Sequence, residues 1–131
     1  MLDLILCVDD DPITLMLCKK VISKATFSNT IITAKNGEEA LQYLDLILDH
    51  KENKLPNLIF LDLNMPVMDG WEFLENFNTD KYAKINNTKI VVLSSTIDPE
   101  DLQKSKNYPM VIDFLSKPIT TDMLNYLESK I

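Results

Sequence analysis

The sequence predicts an α/β fold, a doubly wound sheet of five parallel strands with helices on both faces. Short apolar runs alternate five times with longer segments whose apolar residues recur at helical spacing. The run at residues 58–61 is apolar at every position, which is typical of a strand buried on both faces of a parallel sheet. Alternation of this kind indicates parallel strands joined by right-handed crossover helices.

Helix starts and apolar periodicity define the elements of the first half. Pro12 stands at a favourable first position of a helix, and Ile13, Leu17 and Val21 repeat after it at helical spacing. Asn36 is suited to cap the second helix, whose first turn is acidic. The predicted elements are strands at residues 4–8, 30–34 and 58–61 and helices at 12 to about 24 and 37 to about 50.

The second half continues the same alternation. Asp98 followed by Pro99 is a strong helix start, but the helix behind it has few apolar residues, chiefly Leu102. We therefore expect this fourth helix to be the least stable. Either Thr120 or Thr121 caps the last helix. The predicted elements are strands at residues 89–93 and 110–115 and helices at 71–78, from 99 onwards and from about 121 to the end.

Length and charge limit the classes of function. The chain has 131 residues, and we expect residues 1–131 to form one domain. A net charge of -7 argues against a nucleic-acid partner, because such a surface needs clustered Lys and Arg. The first apolar run is short, lacks a basic segment before it and ends in three acids. We expect neither a signal peptide nor a membrane span, and a cytoplasmic location.

The cysteine and histidine content makes a soft-metal site improbable. Cys7 lies in an apolar run and Cys18 in a predicted helix, which fits buried free thiols in a reducing compartment better than a disulfide. His50 is the only histidine of the chain. A metal site built from Cys and His is therefore not expected.

Polar side chains follow four of the five predicted strands at the point where each strand ends. They are Asp9 and Asp10 after the first strand, Asp62 after the third, Ser94 after the fourth and Lys117 after the fifth. Because the carboxyl ends of parallel strands meet at one edge, we expect these groups to converge where the strand order reverses. Carboxylate oxygens suit Mg²⁺, and an ammonium with a hydroxyl could hold a bound phosphoryl group.

Asp62 is the candidate reactive group because it stands at the tip of a short buried strand. Pro66 cannot donate to a strand ladder and Gly70 tolerates a positive φ, so we expect residues 63–70 to form a shaped loop. Taken alone, an aspartate in this position is more often a solvated residue that ends a strand. Its placement among the other polar strand ends favours the functional interpretation.

The chain resembles the receiver domain of two-component response regulators over nearly its whole length. Four motifs carry the resemblance: VDDDP after the first strand, LDLNMPVMDG around Asp62, LSS after the fourth strand and FLSKP after the fifth. The resemblance implies a flavodoxin-like (βα)5 sheet with strand order 2-1-3-4-5. It also implies a stand-alone, CheY-like switch of a two-component or phosphorelay system, and not a metabolic enzyme.

The resemblance further implies the chemistry of the switch. Asp62 would accept a phosphoryl group from a histidine kinase or a phosphotransfer protein. Mg²⁺ would be held by Asp9, Asp10, Asp62 and the backbone carbonyl of Asn64.

The remaining motif residues would transmit the signal. By the resemblance, Ser94 would donate a hydrogen bond to the phosphoryl group, Lys117 would pair with it, and the bond from Lys117 to Pro118 would be cis. Phe114 occupies the position of the aromatic switch, where many relatives have Tyr. A downstream protein target would dock on the fourth helix, fifth strand and fifth helix.

Two other interpretations stay open from the sequence. A phosphatase of the haloacid dehalogenase type also uses an Asp nucleophile with magnesium, but it needs a second Asp two residues later, where this chain has Asn64. Its nucleophile follows the first strand, whereas Asp62 follows the third. A phosphate-independent binding module would keep the fold without the chemistry, although all five polar residues are present. A receiver cut from a longer regulator would have the same features.

Overall fold

The computed structural model describes residues 2–49, 55–85 and 87–131 and contains a five-stranded sheet with helices on both faces. The strands are β1 (Leu2–Val8), β2 (Ser28–Ala34), β3 (Leu58–Leu61), β4 (Lys89–Ser94) and β5 (Val111–Ser116). The helices are α1 (Pro12–Lys24), α2 (Gly37–Asp49), α3 (Gly70–Phe77), α4 (Pro99–Ser105) and α5 (Thr121–Glu128), with a 3₁₀ helix at Asp80–Ile85. The predicted end of the second helix at His50 lies outside the described residues.

The strand order confirms the predicted fold class. The sheet runs β2-β1-β3-β4-β5, and every neighbouring pair is parallel. The strand order reverses between β1 and β3. The carboxyl ends of these two strands therefore face the crevice where ligands bind in such sheets. The 3₁₀ helix between α3 and β4 was not predicted. None of the helices in the described ranges is long and apolar enough to cross a membrane.

Side-chain caps determine where the helices begin. Four helices start after a residue whose side chain accepts a hydrogen bond from a backbone N–H of the first turn: Asp11, Asp69, Asp98 and Thr120. Asn36 does the same for α2, accepting from the N–H of Glu39 at 2.9 Å. These bonds replace the partners that the first turn lacks. Thr120, and not Thr121, is the cap of α5.

The sheet separates two hydrophobic cores. Leu6 and Val8 of β1 pack on the side of α2 and α3, whereas Ile5 and Cys7 pack on the side of α1 and α5. The central strand β3 is buried at all four positions, which explains why its sequence is apolar throughout. Cys7 and Cys18 are buried free thiols, as predicted.

The buried face of α1 differs from the most regular apolar repeat in its sequence. Cys18 and Ile22 are the buried residues of this helix, while Ile13 and Leu17 are 64% and 42% exposed. The helix carries apolar residues on more than one side, so periodicity locates the helix without selecting the face that packs. Ile13, Met16 and Leu17 form an exposed patch at helical spacing, which we name the α1 apolar surface.

Candidate functional site

Three carboxylates meet at the carboxyl edge of the sheet. Asp9 follows β1 and Asp62 follows β3, and both are buried, whereas Asp10 is exposed. One oxygen of each side chain lies within 4.8 Å of the others. The backbone N–H of Asp62 donates to the carbonyl of Val8 at 2.9 Å, which joins the ends of the two strands. The pairing of β1 with β3 therefore brings carboxylates distant in sequence into one cluster.

Lys117 offsets the charge of this cluster. Its Nζ lies 2.6 Å from Oδ2 of Asp9 and 3.2 Å from Oδ1 of Asp62. Its backbone N–H donates to the carbonyl of Ser94 at 2.8 Å, and the peptide bond to Pro118 is cis. The ammonium group is thus held between two buried carboxylates by a segment that is itself bonded to the end of β4.

The surroundings change the pKa of both partners. Burial raises the pKa of the Asp62 carboxyl above its ordinary value, and the charge of Asp9 adds to this; Lys117 and the N–H of Asn64 oppose it without cancelling it. Burial by itself lowers the pKa of Lys117, but its hydrogen bond and charge interaction with Asp9, followed by those with Asp62, outweigh burial and raise it. Lys117 therefore stays protonated at neutral pH.

We expect Asp62→Asn to raise the melting temperature at neutral pH in the presence of EDTA. The pKa of Asp62 is higher in the folded than in the unfolded chain, so the folded state binds more protons between the two values. Stability from this group therefore falls as pH rises through that interval. Thermal unfolding by circular dichroism between pH 4 and 8 should show a smaller decline for the variant.

The matched control for this prediction is Asp3→Asn, which removes an exposed carboxylate from the other end of β1. It should leave the pH dependence unchanged. A lower melting temperature of Asp62→Asn than of the wild type at neutral pH would contradict the prediction that the charge of Asp62 destabilises the folded state. Lys117 keeps its closer contact with Asp9 in that variant, so loss of the ion pair to Asp62 does not leave the ammonium without a partner.

The other predicted residues lie at or near the same edge. Ser94 is buried at the end of β4, and its Oγ accepts a long hydrogen bond of 3.4 Å from the N–H of Thr96, so its own proton stays available to donate. Asn64 is exposed in the loop after Asp62. Phe114 is buried on β5, in a cluster with Leu63 and Val92.

The loop after β3 turns at an unexpected residue. Val67 has a φ of 68°, and the N–H of Met68 donates to the carbonyl of Pro66 at 2.8 Å, so the three residues form a γ-turn. Positive φ is unfavourable for a β-branched side chain, and Val67 is exposed. Sequence reasoning missed this residue because nothing in the chemistry of valine signals such a conformation.

Gly70 has a different role from the one predicted. Its φ is not positive; it is the first residue of α3, and its N–H donates to the carbonyl of Leu63 at 3.0 Å. A Cβ added to it would overlap the carbonyl oxygen of Asp62 and lie 2.9 Å from Cα of Leu63. Gly70 therefore does not use the positive φ that glycine tolerates, and the expected loop ends one residue earlier, at Asp69. Glycine is needed because the start of α3 lies directly against the backbone of Asp62.

Residues 5–127, which include every residue of this cluster, match the family model of the response regulator receiver domain. The chain belongs to this family. A two-component response regulator from Cytophaga hutchinsonii has a similar crystal structure, with a TM-score of 0.89 and 30% identity over 98% of this chain and 96% of that one. Receiver domains take phosphoryl groups from histidine kinases and act on downstream targets, so the chain is the receiver of a signalling protein.

Two further relatives are regulators. Response regulator Rcp1 from Synechocystis is 30% identical over 98 residues, which are 75% of this chain and 65% of Rcp1. The crystal structure of its Mn²⁺-bound form has a TM-score of 0.78 at 27% identity, over 97% of this chain and 92% of that one. The probable methanogenesis regulatory protein FilR2 from Methanothrix harundinacea is 28% identical over 121 residues, 92% of this chain and 76% of that protein. The sequence match therefore spans slightly less than two thirds of Rcp1, whereas the structural match covers most of the crystallised chain.

These comparisons favour one of the three interpretations drawn from the sequence. Rcp1 and the Cytophaga hutchinsonii protein are response regulators, and the comparisons give no support to a haloacid dehalogenase phosphatase or to a phosphate-independent module. Relatives that carry an enzyme name, such as protein-glutamate methylesterases, are matched by this chain over only 25% or 29% of their length. The matched part is the receiver.

Proposed function

We propose that residues 1–131 act as one receiver domain that accepts a phosphoryl group on Asp62. The observation that supports this most is the surroundings of Asp62, a buried carboxylate that contacts Lys117 and lies within 4.8 Å of two other acids. Phosphoryl transfer needs mainly a positioned nucleophile and positive charge near the transferred oxygens. A strand-end carboxylate beside an ammonium meets both needs.

The carboxylate cluster fits Mg²⁺ as the second source of positive charge. Oxygen donors suit a hard cation, and the exposure of Asp10 leaves space for the water ligands that Mg²⁺ usually retains. Asp9, Asp10 and Asp62, with the backbone carbonyl of Asn64, would hold the ion. When bound, it would offset the charge of the phosphoryl oxygens. The relative Rcp1 has an Mn²⁺-bound form, which supports binding of a divalent cation by this chain.

Three side chains take part in the proposed phosphoryl transfer. An oxygen of Asp62 forms the new bond to phosphorus while the bond between phosphorus and the donor nitrogen of a phosphohistidine breaks. Lys117 already contacts Asp62 and shifts its hydrogen bond to the arriving oxygens. Ser94 donates its hydroxyl proton to one of them. The product is an aspartyl phosphate, and no separate metabolite is turned over.

The partners follow from this role. The phosphodonor would be a histidine kinase or a phosphotransfer protein, and the α1 apolar surface, which begins beside the Asp11 cap, offers it an exposed apolar contact close to the carboxylates. The downstream target would dock on α4, β5 and α5. Helix α4 buries only Ser105, so this face contains an element that can shift at low cost.

Incubation with acetyl phosphate and Mg²⁺ tests the proposed function. Intact mass spectrometry should find one added phosphoryl group on the wild type and none on Asp62→Asn, which lacks the nucleophilic oxygen pair. Addition to both proteins would reject Asp62 as the acceptor. Hydrolysis of small phosphate esters at many turnovers per protein would favour the phosphatase instead.

We expect Mg²⁺ to stabilise the protein. The three acids repel one another, so a bound cation should raise the free energy of unfolding by about 1.4 kcal/mol at a concentration ten times its Kd. The increase in melting temperature with millimolar Mg²⁺ should be smaller in Asp10→Ala. Asp80→Ala, which removes an exposed acid of the 3₁₀ helix, should respond like the wild type. No change in melting temperature or in Trp71 fluorescence would contradict the metal site.

A further inference from the structure

Trp71 lies between the loop that follows β3 and helix α4. It is the second residue of α3 and follows Gly70, whose N–H donates to the carbonyl of Leu63. Its side chain is partly buried and packs against the cluster of Leu63, Val92 and Phe114. Any shift of the loop that follows β3 therefore acts directly on the tryptophan ring.

The same ring contacts the end of α4. The Nζ of Lys104 lies 4.4 Å from the ring centroid of Trp71, within the range of a cation–π contact. The ring of Tyr108, just beyond α4, has its centroid 6.2 Å from that of Trp71 with an angle of 34° between the planes. Trp71 thus extends from α3 to the end of α4, and it also packs against the buried cluster next to the loop after β3.

Other side-chain contacts hold α4 only weakly. All seven residues of this helix are described, and Ser105 is the only buried one. The Ser105 hydroxyl donates to the carbonyl of Leu102 at 2.7 Å within the same segment, and Leu102 is 38% exposed. An element with so little buried apolar surface has low local stability, so a single aromatic contact has a large share in its position.

We propose that Trp71 is a positioning residue that holds α4 and couples it to the state of Asp62. Phe114 has no hydroxyl, so its influence on its neighbours acts through packing, and Trp71 packs against the buried cluster that contains it. A change around Asp62 or Phe114 moves the ring, and Lys104 and Tyr108 follow. The trigger rests on the proposed function, whereas the attachment of α4 to Trp71 is independent of it.

The attachment is tested first, without phosphorylation, by hydrogen exchange of the amides of residues 101–106. Trp71→Leu and Lys104→Met should each speed exchange roughly two- to five-fold, the effect of losing a cation–π contact at an exposed site. Trp71→Leu also loses the contact with Tyr108, so it should be the faster of the two single variants. The double variant should exchange no faster than Trp71→Leu, because the lysine contact is already lost in that variant. Lys104→Arg should exchange like the wild type, since a guanidinium also stacks on an aromatic ring.

Two controls separate this contact from general destabilisation. Lys106→Met removes an exposed charge from the end of the same helix, and this charge interacts with the helix dipole as the charge of Lys104 does. Lys106→Met should leave the exchange rate of the α4 amides unchanged. In Trp71→Leu the rise in exchange rate should be larger for the α4 amides than for those of β1, which report global unfolding. Additive effects in the double variant, or equal effects of Lys104→Met and Lys106→Met, would overturn the attachment.

The coupling is tested by adding Mg²⁺ and beryllofluoride, a phosphoryl mimic. Beryllofluoride and Mg²⁺ should change the exchange rate of the α4 amides in the wild type, and this change should be at least halved in Trp71→Leu. In a separate assay with acetyl phosphate, the phosphoryl uptake of Trp71→Leu, measured by intact mass, should stay at the wild-type level. Normal uptake with an unaltered α4 response would overturn the coupling. Absence of uptake by the wild type would reject the proposed function and the coupling together, and the first test alone would then decide whether Trp71 holds α4.

Discussion

Lys117→Met should slow phosphoryl uptake from acetyl phosphate by about 100- to 1,000-fold, the usual effect of removing one preorganised donor to developing negative charge. In this protein the donor is already in place, because the ammonium lies 3.2 Å from the Asp62 oxygen. Methionine has a similar length and no charge, so the variant removes the ammonium while filling much of the same space. The rate is measured by a time course of intact mass at saturating Mg²⁺.

The same substitution should lower the free energy of unfolding by about 3 kcal/mol in EDTA, since it leaves Asp9 and Asp62 buried without their partner. Mg²⁺ should restore part of this stability by offsetting the same charges, but it should not restore the rate. Urea unfolding with and without Mg²⁺ separates the two effects. Phosphoryl uptake at the wild-type rate would contradict the role of Lys117.

Lys130→Met is the matched control for Lys117. Lys130 also pairs with an aspartate at 3.0 Å, but this partner, Asp113 on β5, is not part of the carboxylate cluster. The lysine is solvent-exposed, so its removal should change neither uptake nor stability appreciably. A similar loss in both variants would mean that the effect at Lys117 is not specific to the site.

Gly70→Ala should destabilise the protein by about 3 kcal/mol and also reduce phosphoryl uptake. The added methyl group meets the carbonyl oxygen of Asp62 and Cα of Leu63, and both are backbone atoms that cannot rotate away. Alanine is otherwise the better helix residue by about 1 kcal/mol, so a net loss measures the clash. Because the clash acts on the backbone of Asp62, the carboxylate moves away from Lys117 as well.

Gly37→Ala is the corresponding control. Its Cβ would lie 2.9 Å from Cγ of Met68, a flexible side chain, and 3.0 Å from the Met68 carbonyl oxygen, so part of the contact can be relieved. We expect a loss of about 1 kcal/mol, with little effect on uptake. Urea unfolding of both variants gives the comparison. A Gly70→Ala protein as stable as the wild type would contradict the close approach of α3 to the end of β3.

The candidate site could be predicted largely from the sequence because each of its polar residues follows an apolar run. Asp9, Asp62, Ser94 and Lys117 are strand-end residues, and a parallel sheet brings such residues to one edge whatever the details of packing. The caps Asn36 and Asp98 were similarly visible, because a cap bonds to a backbone group two or three residues away. Local signals of this kind need no knowledge of distant contacts.

Sequence alone thus determined the alternation of strands and helices, the caps at Asn36 and Asp98, and the identity of the strand-end residues of this protein. Tertiary structure decided which side of α1 is buried, why residue 70 is glycine, and that Trp71 contacts both the buried cluster around Phe114 and Lys104. The physical reason is the range of the interactions. Strand and helix signals come from neighbouring residues, whereas packing and steric limits depend on distances between segments far apart in the chain, which no local pattern encodes.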